Sequence, residues 1–216
     1  MSNASIDDLI DGLADELEPV RPRRVSHGSL WVAGGWAAGA ALLLWLSGMR
    51  HDLAGGVMMP PLPLLSFWLI VALGLAAAWS ALRMGLPGVG RDYSGWRWAG
   101  LAALALPLSA LVIAFGDGHA AIEAARPENG LRCTIEGVLS GLGVGAALFG
   151  WLKTGAPTLP ERAGWVIGIA AGAAGATIVA LHCASNDMMH IALWHGLAVV
   201  LSGVAGRLLL APLLRW

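Results

Sequence analysis

The chain has 216 residues, of which 57% are hydrophobic and only 12% are charged, and its formal net charge is −1. With a mean hydropathy of +0.69, this composition is too apolar for a soluble domain, and the near-zero charge gives no reason to expect direct binding to nucleic acid. A segment that crosses a bilayer must satisfy its own backbone hydrogen bonds, so we expect an all-α polytopic membrane protein.

The first 28 residues form a polar arm ahead of the first long apolar segment. Within residues 5–18, apolar side chains recur at spacings of three and four, which predicts an amphipathic helix. Its apolar stripe consists of Ile6, Leu9, Ile10, Leu13 and Leu17, and its other face carries Asp7, Asp8, Asp11, Asp15, Glu16 and Glu18. A helix lying on the negative cytoplasmic leaflet is normally rich in Lys and Arg. The acidic face therefore indicates docking into a basic groove of a partner protein, with docking onto its own bundle as the alternative.

Six apolar segments are long enough to cross a membrane, which takes about 20 helical residues. They cover residues 29–47, 64–82, 98–115, 134–152, 163–181 and 191–210. Ten of the 13 Lys and Arg residues lie in the arm, in the loops after the second and fourth segments, or near the C-terminus, which predicts that both termini are cytoplasmic. Residues 29–216 should then form a six-helix transmembrane domain in contact with lipid. Nine of the 11 tryptophans, among them Trp151 and Trp194, lie near segment ends, where we expect interfacial anchors.

The central parts of these segments contain no Asp, Lys or Arg. Glu136 lies about one turn inside the fourth segment, and His195 about one turn inside the sixth. Proton-coupled transporters usually place ionisable groups deep in the membrane, so this pattern argues against transport and leaves a channel open.

The fourth and fifth segments each contain three glycines that are four residues apart, Gly137, Gly141 and Gly145 in one and Gly164, Gly168 and Gly172 in the other. Ridges of small residues allow helix backbones to approach closely. We therefore expect these two ridges to pack the fourth and fifth helices tightly together.

The chain has only two cysteines, Cys133 at the start of the fourth segment and Cys183 at the end of the fifth. Their midpoint, residue 158, is the middle of the connecting loop. On each side of it, about 20 helical residues climb about 30 Å, which is one hydrocarbon thickness. Both thiols should therefore reach the outer face of the membrane at the same level, and lateral contact between them is a hypothesis.

Three interpretations of the cysteine pair remain open: a structural disulfide, a redox- or metal-responsive switch, and two unrelated thiols. No resident cofactor is required. A transient soft or heavy metal ion at the outer face would be bound by some of Cys133, Cys183, His182, His190, His195 and Glu136, with Met188 as a further candidate, because thiolate and imidazole suit such ions. The cysteines lack the close spacing of common zinc motifs, so the sequence evidence for metal is weak.

Several short fragments occur in this order along the chain: Asp-Asp-Leu-Ile-Asp-Gly-Leu-Ala at 7–14, Arg-His-Asp-Leu at 50–53, His-Cys at 182–183 and Trp-His at 194–195, with shorter matches at 19–20, 83, 87–88, 133, 155–157 and 215–216. On these fragments the chain resembles, over essentially its full length, the NrsF-type membrane anti-sigma factors. That resemblance implies a six-span protein of the bacterial inner membrane whose arm holds an extracytoplasmic-function sigma factor away from RNA polymerase. It also implies that Cys133 and Cys183 report metal or oxidative stress from the periplasm.

Three other classes of protein are weaker hypotheses. A membrane thiol oxidoreductase generally relays electrons through a second cysteine pair, which this chain lacks. A metal or solute transporter is disfavoured by the apolar centre of the segments, and a haem protein would use His182, His190 or His195. We therefore expect a regulator and not an enzyme, and the oligomeric state stays undetermined.

Overall fold

The computed structural model describes residues 3–16, 23–87, 95–116, 118–155 and 157–215. All regular secondary structure in these ranges is helical, which confirms the predicted all-α class for this part of the chain. The helices are α1 (Asn3–Asp15), α2 (Val25–Ser47), α3 (His51–Ala54), α4 (Pro61–Met84), α5 (Trp96–Ala103), α6 (Ala105–Gly116), α7 (Gly118–Ala124), α8 (Pro127–Lys153), α9 (Pro160–Ala180) and α10 (Met188–Leu213). Within α10, Ile191–His195 and Gly206–Leu210 have π-helical geometry.

Five of these helices, α2, α4, α8, α9 and α10, are long and apolar enough to cross a membrane. They coincide with the first, second, fourth, fifth and sixth predicted segments, which supports the assignment to membrane proteins. A sixth crossing and the orientation of the termini stay predictions.

The third predicted segment, 98–115, differs from the expected single helix. It forms α5 and α6, which have 8 and 12 residues and are separated at Leu104. Pro107 accounts for the break, because a proline ring lacks an N–H and clashes with the carbonyl four residues earlier, which here belongs to Ala103 at the end of α5. Neither helix alone reaches the roughly 20 residues that a crossing needs.

The core of the bundle is built around α9, which packs against α4, α8 and α10. Its side chains Val166, Ile167, Ile178 and Val179 are fully buried. Lipid tails are as apolar as these side chains, so close van der Waals packing, more than exclusion of water, holds such helices together. The position of α9 therefore depends on how closely its neighbours approach it.

The predicted tight packing of α8 against α9 is present. A Cβ added to Gly141 would collide with the carbonyl oxygen of Ala171, and one added to Gly175 would collide with the carbonyl of Gly137. The two backbones are thus in direct contact.

The two glycine ridges themselves do not face each other. The ridge on α9 packs against α10, where a Cβ on Gly164 would lie 2.6 Å from the carbonyl of Gly206, and one on Gly172 would lie 2.7 Å from the Cα of Val199. Because α9 lies between two close neighbours, it needs small residues on two faces, and Gly175 serves the face toward α8.

Two of the predicted interfacial tryptophans are instead buried in the protein. Trp151 and Trp194 are only 6% and 7% exposed. Their indole N–H groups donate to the carbonyl oxygens of Leu82 at 2.9 Å and Ala124 at 2.8 Å. These bonds satisfy the one polar atom of each indole, so both residues act as internal cross-links, whereas Trp31 and Trp45 remain exposed as expected.

Replacement of Gly175 with alanine should destabilise the bundle. The added methyl group would meet the backbone of α8, which cannot move aside as a flexible side chain can. We expect a loss of about 1–3 kcal/mol, the usual cost of overpacking, visible as a lower midpoint of thermal unfolding in detergent by circular dichroism. Gly34→Ala in α2 is the matched control, because nothing lies within 4 Å of its Cβ position. Equal midpoints for the two variants would contradict the backbone contact.

Candidate functional site

Four side chains with metal-binding or redox chemistry meet at one end of the bundle. Cys133 lies in the second turn of α8, Cys183 follows α9, and His190 and His195 lie in the first turns of α10. The sulfur atoms of Cys133 and Cys183 are 3.7 Å apart, and the sulfur of Cys183 lies 3.4 Å from Nε2 of His190. The structure therefore places the two predicted sensor thiols side by side. We call these four residues the thiol–imidazole cluster.

The thiol–imidazole cluster is compact and largely shielded from solvent. One ligand atom from each residue lies within 4.8 Å of all the others. Cys183, His190 and His195 are buried, at 8%, 5% and 3% exposure, and Cys133 is half-buried. Nε2 of His195 is buried and has no hydrogen-bond partner among the described residues, which is unusual for a polar atom inside a protein.

The π-helical segment Ile191–His195 explains how two histidines five residues apart come to share a face. In a regular α-helix, residues five apart are separated by about 140° around the axis, because each residue turns about 100°. A π-helix closes its hydrogen bonds between residues five apart, so such residues lie nearly above one another. The rings of His190 and His195 accordingly meet edge to face with their centroids 5.7 Å apart.

Local hydrogen bonds determine where α10 begins. The carboxylate of Asp187 accepts from the backbone N–H groups of Met189 at 3.0 Å and His190 at 3.4 Å, which is the usual capping arrangement. The hydroxyl of Thr134 donates to the carbonyl of Trp194 at 2.8 Å, which ties α8 to the π-helical segment one residue after Cys133. These hydrogen bonds hold α10 at its first residues, next to His190, and at Trp194, next to His195.

The environment of Cys183 favours its ionised form. The hydrogen bond from the thiol of Cys133, together with contacts to His190 and His195, lowers the pKa of Cys183 below its ordinary value despite burial. The thiolate is the form of cysteine that binds metals and attacks oxidants. The contacts around Cys183 therefore favour its thiolate form.

Three other predicted ligands have different partners. Nδ1 of His182 is 2.8 Å from the carbonyl oxygen of Gly48, which pins the loop after α9 to the end of α2. One carboxylate oxygen of Glu136 accepts from Arg132 at 2.7 Å. The sulfur of Met188 accepts a hydrogen bond from the hydroxyl of Ser66 at 3.5 Å. These residues surround the cluster without joining it.

A buried arginine that is not among the predicted site residues lies beside the cluster. Arg50 is 5% exposed, pairs with both carboxylate oxygens of Asp52 at 2.6 Å, and donates to Asn186 at 2.9 Å. The arginine lowers the pKa of Asp52, chiefly through this hydrogen bonding. Arg50 also lines a cavity of about 20 Å³ that reaches Cys183 and His195, which is room for about one water molecule. In the sequence, the feature that could have indicated this pair is an arginine and an aspartate two residues apart, at positions 50 and 52.

At its N-terminal end, the chain presents the predicted amphipathic helix. Helix α1 covers Asn3–Asp15, against a prediction of 5–18, and Leu17 and Glu18 lie outside the described residues. The apolar side chains of the stripe are exposed, by 54% to 61%, at Ile6, Leu9, Ile10 and Leu13. Asp7, Asp8, Asp11, Asp15 and Glu16 are exposed as well. An apolar stripe beside a row of carboxylates is therefore open to a partner.

Arg23 anchors the start of the bundle close to this arm. Its guanidinium donates to the carbonyl of Trp151 at 2.8 Å and to the hydroxyl of Thr154 at 2.9 Å, and it lies over the ring of Trp151, 3.9 Å from the centroid. A third bond reaches the carbonyl of Gly85 at 3.4 Å. Helix α8 therefore carries Cys133 near one end and the contacts to Arg23 at the other.

Comparison with known proteins identifies a family for the chain. The chain matches the family model described as "NrsF: Negative regulator of sigma F" over residues 13–216. It is 31% identical to the "Anti-sigma-F factor NrsF" of Caulobacter vibrioides, over 97% of this chain and 99% of that protein. It is 30% identical to the "Probable anti-sigma-F factor NrsF" of Azospira oryzae, over 86% of this chain and 87% of that protein. No solved structure gives a significant match.

Proposed function

Because the chain belongs to the NrsF family of negative regulators of sigma F, we propose that it holds an extracytoplasmic-function sigma factor at the bacterial inner membrane. The cytoplasmic arm, residues 1–28, is the docking element, and residues 29–216 form the transmembrane sensor. Metal or oxidative stress in the periplasm acts on Cys133 and Cys183 and releases the sigma factor. The family is regulatory, so this function requires no catalysis by the chain.

The exposed stripe of α1 is the observation that carries the sequestration step. Apolar anchors such as Leu9 and Leu13 supply affinity when they enter a groove. The carboxylates beside them favour a groove lined with Lys and Arg, and they steer the approach of such a partner. A DNA-binding protein such as a sigma factor offers surfaces of that charge.

The side-by-side thiols support the sensing step. Sulfurs 3.7 Å apart can be joined to a disulfide when an oxidant such as another disulfide accepts two electrons and two protons, and they can also share one metal ion. A disulfide, with an S–S bond of about 2 Å, draws α8 and the end of α9 together at this end of the bundle, and a shared metal ion fixes their separation. A thiol oxidoreductase stays the alternative, but it would need a second pair that this chain lacks.

Helix α8 offers a direct route from the thiols to the arm. Cys133 and Trp151 lie on the same continuous helix, about 27 Å apart along its axis at 1.5 Å per residue. Trp151 and Thr154 hold Arg23, which lies near the end of the arm, after α1. A shift of α8 caused at Cys133 therefore changes the contacts that Trp151 and Thr154 make with Arg23. Coupling between the two sites requires two arrangements of the bundle that bind the sigma factor with different affinity, and the shift favours one of them.

Replacement of Leu9 with aspartate should abolish sigma binding while the bundle stays folded. The change places a charge in the apolar stripe, which would have to be buried against the apolar floor of the partner's groove, away from the Lys and Arg side chains along its rim. Co-purification of the membrane protein with its sigma factor measures the effect. Gly12→Asp is the matched control, because it adds the same charge to the polar face of α1 and should leave binding near the original level. Retention of the sigma factor by the Leu9→Asp protein would refute docking through the stripe.

The substitutions Cys133→Ser and Cys183→Ser should give the same signalling phenotype. Both remove one member of a unit that needs two sulfurs, so each should reduce sigma-dependent transcription after cadmium or diamide treatment to the uninduced level. A sigma-dependent reporter in whole cells measures this response. Different responses of the two variants to the same stress would argue against a shared site.

Replacement of Arg23 with alanine should separate sensing from sequestration. The variant loses the bonds to Trp151 and Thr154 but keeps α1 intact, so it should still bind the sigma factor. Induction of the reporter by cadmium should fall toward the uninduced level. Arg24→Ala is the matched control, because Arg24 is exposed and adjacent. Normal induction in the Arg23→Ala cells would show that the signal takes another route.

A further inference from the structure

We propose that Cys133, Cys183, His190 and His195 together form a tetrahedral binding site for one soft or borderline divalent cation, of the class of Zn²⁺ and Cd²⁺. This inference deepens the proposed function, on which its biological meaning rests, by naming the ligand set and the type of ion. The two histidines are then ligands in their own right, and not only neighbours of the sensor thiols.

The spacing of the ligand atoms is that of a tetrahedral site. Metal–ligand distances of about 2.3 Å for sulfur and about 2.0 Å for nitrogen place two sulfurs about 3.8 Å apart, and a sulfur and a nitrogen about 3.5 Å apart. The observed separations are 3.7 Å between Cys133 and Cys183, and 3.4 Å between Cys183 and Nε2 of His190. The remaining separations are at most 4.8 Å. Side-chain movements of about an ångström bring those to about 3.3–3.8 Å.

His195 supplies an independent observation. One ring nitrogen of His195 belongs to the cluster, and its Nε2 is buried with no hydrogen-bond partner among the described residues, although a buried polar atom normally finds one. A metal ion at the centre of the cluster gives this nitrogen its missing partner. The π-helical segment that carries His195 turns it to the same face as His190, and such segments frequently occur at functional sites.

The chemistry of the cluster selects the class of ion. Two sulfurs and two imidazoles suit Zn²⁺, Cd²⁺ and Co²⁺, whereas Mg²⁺ and Ca²⁺ require oxygen ligands. The ion binds both sulfurs as thiolates, and two thiolates with two neutral imidazoles balance the charge of a divalent ion. A neutral complex suits a buried position at the edge of a membrane. Glu136, the nearest carboxylate along α8, is paired with Arg132 through one oxygen, and its other oxygen is buried without a hydrogen-bond partner among the described residues. Glu136 is not part of the group whose ligand atoms all lie within 4.8 Å of one another.

Titration of the purified full-length chain with Co²⁺ tests the site. The protein is held in detergent, reduced and freed of metal with a chelator. We expect saturation at one Co²⁺ per chain, with the visible absorption of tetrahedral cobalt and the ultraviolet charge-transfer bands of cobalt thiolate, and displacement by Zn²⁺ or Cd²⁺. His190→Gln, His195→Gln, Cys133→Ser and Cys183→Ser should each weaken binding at least about tenfold, since even changes around the ligands cost about 10–100-fold. His182→Gln is the matched control and should bind Co²⁺ normally.

A second variant separates loss of a ligand from loss of the fold. His190→Cys replaces one ligand with another, so it should still bind Co²⁺ and show stronger charge-transfer absorption from a third thiolate. Normal Co²⁺ affinity and unchanged spectra in His190→Gln and His195→Gln would overturn the four-ligand site, as would absence of Co²⁺ binding by the unmodified chain.

Two further measurements distinguish failure of the metal site from failure of the proposed function: the cellular response to diamide, and binding of the sigma factor by the same purified protein. If Co²⁺ does not bind but the cysteine substitutions still abolish the cellular response to diamide, the four-ligand site is refuted and redox sensing stands. If Co²⁺ binds as expected but the unmodified chain captures no sigma factor, the metal site stands and the proposed function is refuted.

Discussion

The direct contact between the backbones of α8 and α9 is the constraint on which the rest of the structure depends. Inside a bilayer, apolar side chains gain little by leaving lipid for protein, so helices associate through close packing. At Gly137, Gly141 and Gly175 the two backbones approach as closely as the absence of side chains permits. The same contact sets the distance between the ends of these helices, where Cys133 and Cys183 lie.

Helix α9 links the two halves of the thiol–imidazole cluster. On one face it meets α8, which carries Cys133, and on another it meets α10, which carries the histidines. Cys183 follows its last turn and therefore lies between both neighbours. Because the cluster is assembled from α8, the end of α9 and α10, a change in the relative positions of these helices changes the distances between its side chains. A signal transmitted along the bundle requires such a link between the site and the helix positions. Buried Arg50 pairs with the partly exposed Asp52 and connects the adjoining loops through Asn186.

The opposite end of α8 is built differently, from a cation and an aromatic ring. Arg23 lies against Trp151 and also bonds to its carbonyl oxygen, so the chain that leaves the arm is held by the end of the same helix. Burial of Trp151 is necessary for this arrangement, because an indole directed toward lipid would leave no platform for the guanidinium. The two ends of the protein are thus joined by one helix and not by a long chain of side-chain contacts.

The sequence by itself determined the helical class, five of the membrane-length helices, the amphipathic arm and the common level of the two cysteines. Each of these follows from local periodicity or from chain length along a helix of known rise. The break at Pro107 was also readable from the sequence, since proline interrupts a helix in a known way.

Only the tertiary structure decided which side chains meet. The π-helical turn that brings His195 over His190, the contact of the α9 ridge with α10, and the burial of Trp151 and Trp194 all depend on the rotation of each helix about its axis. In a chain where nearly every face of a span is apolar, hydropathy does not distinguish the buried face from the lipid-facing one. Packing against neighbouring helices makes that choice.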